Sequence, residues 1–274
     1  MNMDGRRPVV LITGAAGGIG SAIARRYARE GADLALLDVN EEGLSVLAEA
    51  LSSPEREIMT RVCDLTDEEA CHGAVREVVE GLGGIDVLVN NAGRTHLSFV
   101  EETDASVFRR VMDINFFGAL YVTQAALPSL VARKGSIGVL SSVAGFAPLA
   151  GRAGYAASKH ALQGLFASLR GELLEQGVSV TLICPSFTRT NIGDSALGAD
   201  GGPALQPRTE LGGLLEPEEV AEAVYRGVRR RRRMVVLPAM GKLAYVLWWL
   251  APGLYERIMV RRLAREQARG RMGQ

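Results

Sequence analysis

Tyr155 and Lys159 are the residues whose types and spacing most directly indicate chemistry. They lie four positions apart near the start of a stretch with helical periodicity, so both side chains project from one face of the expected helix. Only three of the 31 basic residues are lysine, so a lysine at this spacing is a marked choice. Because a nearby ammonium stabilises a phenolate, the pair predicts a tyrosine that exchanges protons near neutral pH.

Two further polar positions fit the same chemistry. Ser142 closes an apolar run 13 residues before Tyr155 and can hydrogen-bond the same substrate oxygen. Ser141 points to the opposite face of that strand, so one residue of register decides between the serines, and we favour Ser142. Asn115 lies in a long helical stretch, where its amide either holds a water in a proton path or satisfies neighbouring backbone groups.

A glycine-rich segment, TGAAGGIG at 13–20, follows the first apolar run and precedes a helical stretch. Gly14, Gly18 and Gly20 permit a tight turn, a close approach of backbone amides to a pyrophosphate, and a helix that starts against the strand. The spacing differs from the common GxGxxG motif. The segment predicts dinucleotide binding because its glycines can play the same physical roles, although the consensus itself is not matched.

Asp38 favours one of the two nicotinamide dinucleotides. It ends the second apolar run, 18 residues after Gly20, where a carboxylate accepts hydrogen bonds from both hydroxyls of an adenosine ribose. A 2′-phosphate at this position would face a like charge. No lysine or arginine precedes Gly18 in the glycine-rich segment or occupies the two positions after Asp38, so the pattern favours NAD over NADP.

These residues lie at or near the ends of short apolar runs that alternate with longer stretches of helical period. Such alternation predicts a doubly wound α/β fold with a seven-stranded parallel sheet buried on both faces. This architecture places ligands at the carboxyl ends of the strands, where the candidate residues fall. The predicted strands span residues 8–13, 33–38, 57–64, 85–90, 135–142, 178–184 and 234–238.

The composition is that of a globular protein, with 47% hydrophobic and 23% charged residues among 274. It excludes disorder and collagen-like repeats, and the length suits one α/β domain. Three cysteines without CxxC spacing predict neither a disulfide framework nor a metal site. We expect no signal peptide and no apolar run of the roughly 18 residues that span a bilayer, and therefore a cytoplasmic protein.

Together, these motifs resemble those of the short-chain dehydrogenase/reductase family in its shorter, single-domain form. The resemblance covers about residues 8–240 and rests on several motifs in the right order. They are TGAAGGIG at 13–20, Asp38, CDL at 63–65, NNAG at 90–93, Asn115, Ser142 and YAASK at 155–159. The resemblance implies a Rossmann fold and hydride transfer between a secondary alcohol or ketone and the nicotinamide of NAD.

The resemblance also implies roles for single residues. The implied catalytic set is Asn115, Ser142, Tyr155 and Lys159: the serine orients the substrate, the tyrosine moves the proton, the lysine holds the nicotinamide ribose, and the asparagine relays the proton through water. Asp64 and Leu65 would edge the adenine. The implied cofactor-binding residues are Thr13, Gly14, Gly18, Ile19, Gly20, Asp38, Asp64, Leu65, Asn91, Ala92, Gly93, Tyr155, Lys159, Pro185 and Thr190.

The substrate side departs from the family pattern at Ser186, which stands where the family usually has glycine and narrows the floor of the site. Phe146, Leu149 and Phe187 flank the catalytic segments and suggest an apolar pocket, although core packing is an alternative for each. We expect substrate contacts from Ser142, Phe146, Tyr155, Phe187 and His96. An apolar pocket favours a lipophilic alcohol or ketone of steroid, retinoid or long-chain type.

The expected catalytic domain spans residues 1–239. One segment within it and one segment after it differ from the alternating pattern of strands and helices. Residues 190–213 carry glycine, proline and acidic residues without a clear apolar period, and we interpret them as a mobile lid. Residues 240–274 form a basic amphipathic helical tail. The stretch 226–274 carries 13 basic and two acidic side chains, a net charge of +11.

The tail contains both tryptophans of the chain and an apolar helical stripe beside several arginines. The stripe consists of Leu254, Ile258, Met259 and Leu263. A stripe of this kind suits a helix that lies in the interface of an anionic membrane. The alternative is that it covers a neighbouring subunit or its own substrate pocket.

Small residues along the helix that bears Tyr155 let another helix approach closely. They are Ala153, Ala157, Ala161, Gly164 and Ser168. Because related enzymes commonly associate through this helix, we expect a homodimer or homotetramer, with packing inside one subunit as the alternative.

Other functions compete with a NAD-dependent enzyme. A non-catalytic sensor of dinucleotide redox state needs only the cofactor groove, so the serine, tyrosine and lysine argue against it. Nucleic-acid binding through the arginine run at 229–233 lacks a recognition module and base-stacking aromatic residues. An NADP-dependent ketoreductase is the alternative within the enzyme class.

Overall fold

The computed structural model describes residues 6–147, 149–190, 196–204 and 214–271, with the backbone alone at 239–240 and 262–271. The strands are β1 (Val9–Thr13), β2 (Asp33–Asp38), β3 (Ile58–Val62), β4 (Val87–Asn90), β5 (Ser136–Leu140), β6 (Ser179–Cys184) and β7 (Met234–Val236). They form one seven-stranded sheet in the order β3-β2-β1-β4-β5-β6-β7, and every neighbouring pair is parallel.

Helices cover both faces of the sheet. They are α1 (Gly18–Arg29), α2 (Glu41–Leu51), α3 (Glu68–Leu82), α4 (Ala105–Met112), α5 (Gly118–Ala132), α6 (Ala153–Glu172), α7 (Pro217–Arg229), α8 (Ala239–Leu250) and α9 (Pro252–Arg271). Apolar residues of α3, α5 and α6 form one core with the sheet, and those of α1, α2 and α7 form the other. Along β1, Leu11 enters the first core while Val10 and Ile12 enter the second, which confirms the predicted sheet buried on both faces.

The strand order turns at the centre of the sheet, where β1 lies between β2 and β4. In open parallel sheets, the loops that leave the strands on either side of such a point border a crevice that binds ligands. The strands after β2 and β4 end earlier than predicted: β3 stops at Val62 and β5 at Leu140, before Asp64 and Ser142. The candidate residues therefore stand in loops at the carboxyl edge.

The helical stretch Ala105–Ala132 corrects one expectation about apolar runs. It comprises α4, a π-helical turn (Asp113–Phe117) and α5, and it is long and apolar enough by length and composition to cross a membrane. Its α5 part packs against α3 and β4, and Val122, Ala126 and Leu130 are buried in the core. We therefore assign this stretch to the layer that covers the sheet.

The arginine run at 229–233 closes the amino edge of the sheet, away from the candidate residues. The Arg231 guanidinium donates to the backbone oxygens of Gly177 and Lys134, at 2.6 Å each, in the loops that precede β6 and β5. Arg231 itself adopts a positive φ of 51°. At least this arginine has a structural role in joining α7 to neighbouring loops.

The expected lid at 190–213 lies partly outside the described residues, at 191–195 and 205–213. Within it, the Leu197 amide donates to the Thr95 oxygen at 3.0 Å, and the Leu197 oxygen accepts from Leu97 at 2.8 Å. Leu197 is also buried against Val107 and Val111 of α4. The described part, 196–204, is thus joined to the loop after β4 by main-chain pairing and an apolar contact.

Candidate active site

The glycine-rich loop after β1 brings two strand ends together. Gly14 has φ +64°, and a Cβ added there would lie 2.8 Å from the Ala92 Cα, so the position requires glycine for both conformation and space. A Cβ at Gly20 would collide with the Gly14 oxygen. The loop leads into α1, whose first turn has no side-chain cap, so its leading amides suit a phosphate group.

Thr13 and Asn91 join the loops that follow β1 and β4. The Thr13 hydroxyl accepts hydrogen bonds from the amides of Asn91 (3.0 Å) and Ala92 (3.1 Å). In return, the Asn91 side-chain amide donates to the oxygens of Thr13 (2.9 Å) and Gly14 (3.0 Å). These contacts fix the shape of the groove at the carboxyl edge of the sheet. Sequence spacing did not predict that Thr13 joins the two loops.

Asp38 turns its carboxylate toward the glycine-rich loop. One oxygen accepts from the Ala16 amide at 2.9 Å and the other from the Asn40 amide at 3.0 Å. The side chain is half-buried, which leaves lone pairs for hydroxyl donors. Helix amides that can donate to phosphate, a carboxylate that can accept from ribose hydroxyls, and a groove between two loops together fit a dinucleotide.

Asp64 and Leu65 lie in the loop after β3. Asp64 accepts from the Thr66 amide and hydroxyl, both at 2.9 Å, which holds the turn. Leu65 is buried against α5, where a Cβ added to Gly118 would lie 2.7 Å from the Leu65 Cβ. The adenine contacts of Asp64 and Leu65 stay predictions.

The two serines after β5 have different partners. The Ser141 hydroxyl accepts from the Gln163 side-chain amide at 3.1 Å and donates to the Lys159 backbone oxygen at 3.4 Å, which ties it to α6. Ser142 caps a 3-10 turn (Val143–Gly145): its hydroxyl accepts from the Ala144 amide at 3.1 Å and donates to the Pro185 oxygen at 3.4 Å. Both serines border the active-site cavity, so the choice of Ser142 as the residue that binds the substrate stays a prediction.

Tyr155 and Lys159 project from the first turns of α6, as their spacing predicts. The Lys159 ammonium lies 5.7 Å from the centre of the Tyr155 ring and donates to the Leu140 oxygen at 2.7 Å. Burial lowers the pKa of Lys159 to about 8. A Cβ added to Gly93 would lie 3.4 Å from the Lys159 nitrogen, so the loop after β4 closes directly over the ammonium.

Asn115 is fully buried in the π-helical turn, a local widening for which the sequence carries no signal. Its side-chain oxygen accepts from the Arg94 amide at 2.7 Å, and its nitrogen donates to the Arg94 oxygen at 2.9 Å and the Ser158 hydroxyl at 2.8 Å. Of the two sequence-based readings, the structure shows the amide satisfying backbone groups. The proton relay through water stays a prediction.

These loops surround one cavity of about 210 Å³. Ser142, Tyr155 and Lys159 border it together, and so do Leu149 and Phe187 on its apolar side. Its remaining lining residues that match predicted cofactor positions are Ile19, Asn91, Gly93, Pro185 and Thr190. The arrangement can hold a substrate oxygen beside a hydroxyl, a phenol and a buried ammonium, which is the chemistry of proton transfer.

Two predicted substrate residues are corrected, because neither borders this cavity. His96 is fully buried, with Nε2 accepting from the Gly154 amide at 2.8 Å and Nδ1 lying 3.3 Å from the Ser98 hydroxyl, so it fixes the start of α6. Burial lowers the pKa of this imidazole. Phe146 packs edge-on against Tyr245 of α8, with ring centres 4.9 Å apart.

The tail borders the cavity of its own chain, which agrees with one of the alternatives from the sequence. Tyr255, Ile258 and Met259 of α9 are among the lining residues, as are Gly241 and Ala244 of α8. The Leu263 end of the predicted stripe has no described side chain. If the tail contacts a membrane or a neighbouring subunit, it does so through the face that is turned away from the cavity.

Sequence reasoning missed several polar lining residues. Thr95 and Thr188 follow β4 and β6, and Arg152 directly precedes α6. The Arg152 guanidinium is buried 5.3 Å above the Phe187 ring. A charged residue directly before the helix that bears Tyr155, at the edge of the sheet where ligands bind, is the signal that could have identified it.

Comparisons with known sequences agree with this geometry. A sequence model described as short chain dehydrogenase matches residues 8–199. Dehydrogenase/reductase SDR family member 7B of Bos taurus is 36% identical over 271 residues, which are 96% of this chain and 83% of that protein. The 11-beta-hydroxysteroid dehydrogenase A of Sesamum indicum is 34% identical and covers 88% of this chain and 70% of its own length.

Solved structures agree as well. A short-chain dehydrogenase/reductase from Burkholderia phymatum in complex with NAD has a TM-score of 0.77 at 26% identity, over 87% of this chain and 92% of that one. An alcohol dehydrogenase from Thermococcus sibiricus complexed with 5-hydroxy-NADP has a TM-score of 0.73 at 28% identity, over 85% and 96%. The chain therefore belongs to the short-chain dehydrogenase/reductase family, whose members are oxidoreductases that bind nicotinamide dinucleotides.

Proposed function

We propose that this protein is a NAD-dependent oxidoreductase that interconverts a secondary alcohol and a ketone. The observation that carries the proposal is the meeting of Ser142, Tyr155 and Lys159 at one cavity, with the lysine ammonium buried beside the tyrosine ring. A protein that only senses the cofactor has no need for this cluster.

The chain's own residues perform the proton chemistry. When bound, the nicotinamide dinucleotide accepts or supplies the hydride. Ser142 orients the substrate oxygen, and Tyr155 takes its proton during oxidation or returns it during reduction. Lys159 stabilises the phenolate and binds a ribose hydroxyl. Its ammonium donates to the Leu140 oxygen, which holds it beside the Tyr155 ring. Ser142 and Lys159 are buried and Tyr155 is half-buried, which limits the access of water to the reacting atoms.

The preference for NAD rests on Asp38. Its carboxylate, directed by Ala16 and Asn40, presents negative charge where the adenosine ribose of a dinucleotide would bind at the glycine-rich loop. A 2′-phosphate there meets repulsion. Because structures related to this chain carry either cofactor, an NADP-dependent ketoreductase is the competing proposal.

The substrate we propose is lipophilic. Leu149 and Phe187 border the cavity together with apolar residues of the tail, and such a lining suits a steroid-like, retinoid-like or long-chain alcohol or ketone. The relative from Sesamum indicum is named for a hydroxysteroid, which agrees with this class.

A panel of alcohols and ketones tests the proposal. Steroid, retinoid, long-chain and small polyol substrates are each mixed with the protein and NAD, NADH, NADP or NADPH, and absorbance at the nicotinamide band is followed. We expect turnover of a lipophilic member with NAD or NADH. Faster turnover with the phosphorylated cofactor would contradict the reading of Asp38, and no turnover by any pair would contradict the enzymatic assignment.

We also propose a homo-oligomer joined through α6. Ala157, Gly164 and Ser168 are exposed on that helix, and their small side chains permit close helix packing. Sedimentation at micromolar concentration should give a dimeric or tetrameric mass, and Gly164→Arg should lower it. A monomeric mass for the unchanged protein would contradict this proposal.

The outer face of the tail supports contact with an anionic membrane. Trp249 and Leu250 are 68% and 81% exposed, and Lys242 and Arg257 are exposed nearby. We expect salt-sensitive co-sedimentation with vesicles of phosphatidylserine and phosphatidylcholine, lost in Trp249→Ser/Leu250→Ser. The matched change Val46→Ser, at an exposed position of α2, should leave binding unchanged. Equal sedimentation of all three proteins would contradict the proposal.

A further inference from the structure

The C-terminal helix α9 presents a narrow apolar face to the cavity. Tyr255, Ile258 and Met259 border the cavity, and their spacing of three and four residues places them on one side of the helix. Met259 is half-buried, and Ile258 is 38% exposed although it borders the cavity. Val260, one position further than Met259, is 58% exposed and does not border the cavity. One side of α9 is therefore turned to the site and another to solvent.

This face is held in place by aromatic contacts. The Trp248 and Tyr255 rings meet edge-on with centres 5.7 Å apart, and both side chains pack against the core. On α8, Tyr245 meets Phe146, four residues after Ser142, and a Cβ added to Gly241 would lie 3.0 Å from Val143. The tail is thus anchored to the loop that carries the catalytic serine.

The chemistry of the face suits a hydrocarbon. The described charged residues of the tail, Lys242, Glu256, Arg257 and Arg261, do not border the cavity. Methionine has three rotatable bonds and a polarisable sulfur, so Met259 can adapt to a bulky apolar group, while Ile258 supplies a stiff branched contact.

We propose that α9 forms a subsite for the apolar body of the substrate, with Ile258 and Met259 as specificity-determining residues and Tyr255 as the residue that positions the helix. The subsite rests on the proposed function for the identity of the reacting group, because Ser142 and Tyr155 hold the alcohol oxygen. Contacts with α9 then determine which length and bulk of hydrocarbon the enzyme prefers, whereas Ser142, Tyr155 and Lys159 act on the reacting oxygen.

A homologous series from 2-butanol to 2-decanol tests this subsite. With the unchanged enzyme and no vesicles present, kcat/KM should rise roughly fourfold for each methylene that enters the subsite. In Met259→Gln, which keeps the length and helix propensity of methionine but adds a polar amide, the advantage of 2-decanol over 2-butanol should fall about tenfold. The rate of each variant with 2-butanol is the internal reference, so a loss common to both alcohols is separated from a loss specific to the longer one.

Val260→Gln is the matched control, because it makes an outward change of the same kind one residue away. It should retain the full advantage of the longer alcohol. Equal losses for 2-butanol and 2-decanol in Met259→Gln, or equal behaviour of the two variants, would overturn the proposal. Circular dichroism of both variants confirms that α9 and the domain remain folded, and Ile258→Gln repeats the test at a second position.

Binding of N-phenyl-1-naphthylamine, a neutral apolar fluorophore, separates the subsite from the proposed reaction. Its dissociation constant should rise about tenfold in Met259→Gln and stay unchanged in Val260→Gln. If no alcohol is oxidised while the fluorophore still distinguishes the variants, the proposed function fails and the subsite stands. If the fluorophore binds both variants equally, the subsite is refuted whatever the enzyme oxidises.

Discussion

The buried ammonium of Lys159 should make the protein more stable in mild alkali, and Lys159→Met should abolish that gain. Burial lowers the pKa of this lysine from 10.5 to about 8. Between these two values the unfolded chain binds more protons at this position than the folded chain, so the free energy of unfolding rises with pH. Methionine retains an unbranched side chain but has no proton to lose.

The size of the effect follows from the pKa values. This displacement of the pKa corresponds to about 3 kcal/mol, because each pKa unit is worth about 1.36 kcal/mol. Lys159 is almost fully buried, so solvent screening does not reduce this figure greatly. Removing the ammonium also leaves the Leu140 oxygen without its donor, at a cost of about 1–3 kcal/mol that does not depend on pH.

The informative quantity is therefore the difference in unfolding free energy between Lys159→Met and the unchanged protein as pH rises. Relative to the unchanged protein, the variant should lose about 3 kcal/mol between pH 7 and pH 10.5. Burial raises the pKa of the neighbouring Cys184 thiol to about 12, so this thiol stays protonated over the window in both proteins.

Urea unfolding followed by far-ultraviolet circular dichroism measures this difference at several pH values. Protein concentration is held constant, because an oligomer's stability depends on it, and nucleotide is left out. Tryptophan fluorescence is unsuitable, since both tryptophans lie in α8 and report the tail. If the free energies of unfolding of the two proteins change in parallel from pH 7 to pH 10.5, burial does not lower the pKa of Lys159 and the reasoning is refuted.

Four further substitutions test single features of the site. Asp38→Ala should raise kcat/KM with NADP relative to NAD by about tenfold or more, since it removes a repulsive carboxylate; an unchanged ratio would contradict the assigned role. Ser142→Ala should lower kcat about tenfold or more while Ser141→Ala stays within a few-fold, and the reverse order would show that the register was misread. Gly14→Ala should cost more than about 2 kcal/mol in urea unfolding, because a positive φ and a clash with Ala92 act together; a loss below about 0.5 kcal/mol would refute this.

Much of the sheet could be predicted because buried parallel strands leave a plain pattern. The run DLALLD at 33–38 matches β2 in full, since a short apolar run of this length is typical of a strand buried on both faces. The spacing of Tyr155 and Lys159 likewise determined that both would project from one side of a helix. Such local regularities need no knowledge of distant contacts.

Tertiary packing decided what the sequence could not. His96 and Phe146 lie near the catalytic motifs along the chain, but His96 turns to the start of α6 and Phe146 to Tyr245. The direction of a side chain in a loop depends on partners far away in sequence. For the apolar stripe of α9, the sequence left the substrate pocket as one of several alternatives, because an apolar stripe predicts burial without naming what it packs against.

Activity of Tyr155→Phe is the measurement that tests the central claim most directly. The substitution removes only the phenol oxygen, so binding of NAD, followed by calorimetry, should stay within about threefold of the unchanged enzyme. The NAD-linked oxidation of the best alcohol should fall on the order of 100-fold or more in kcat, because general acid-base catalysis is lost. Turnover within a few-fold of the unchanged enzyme, at normal NAD affinity, would contradict the account.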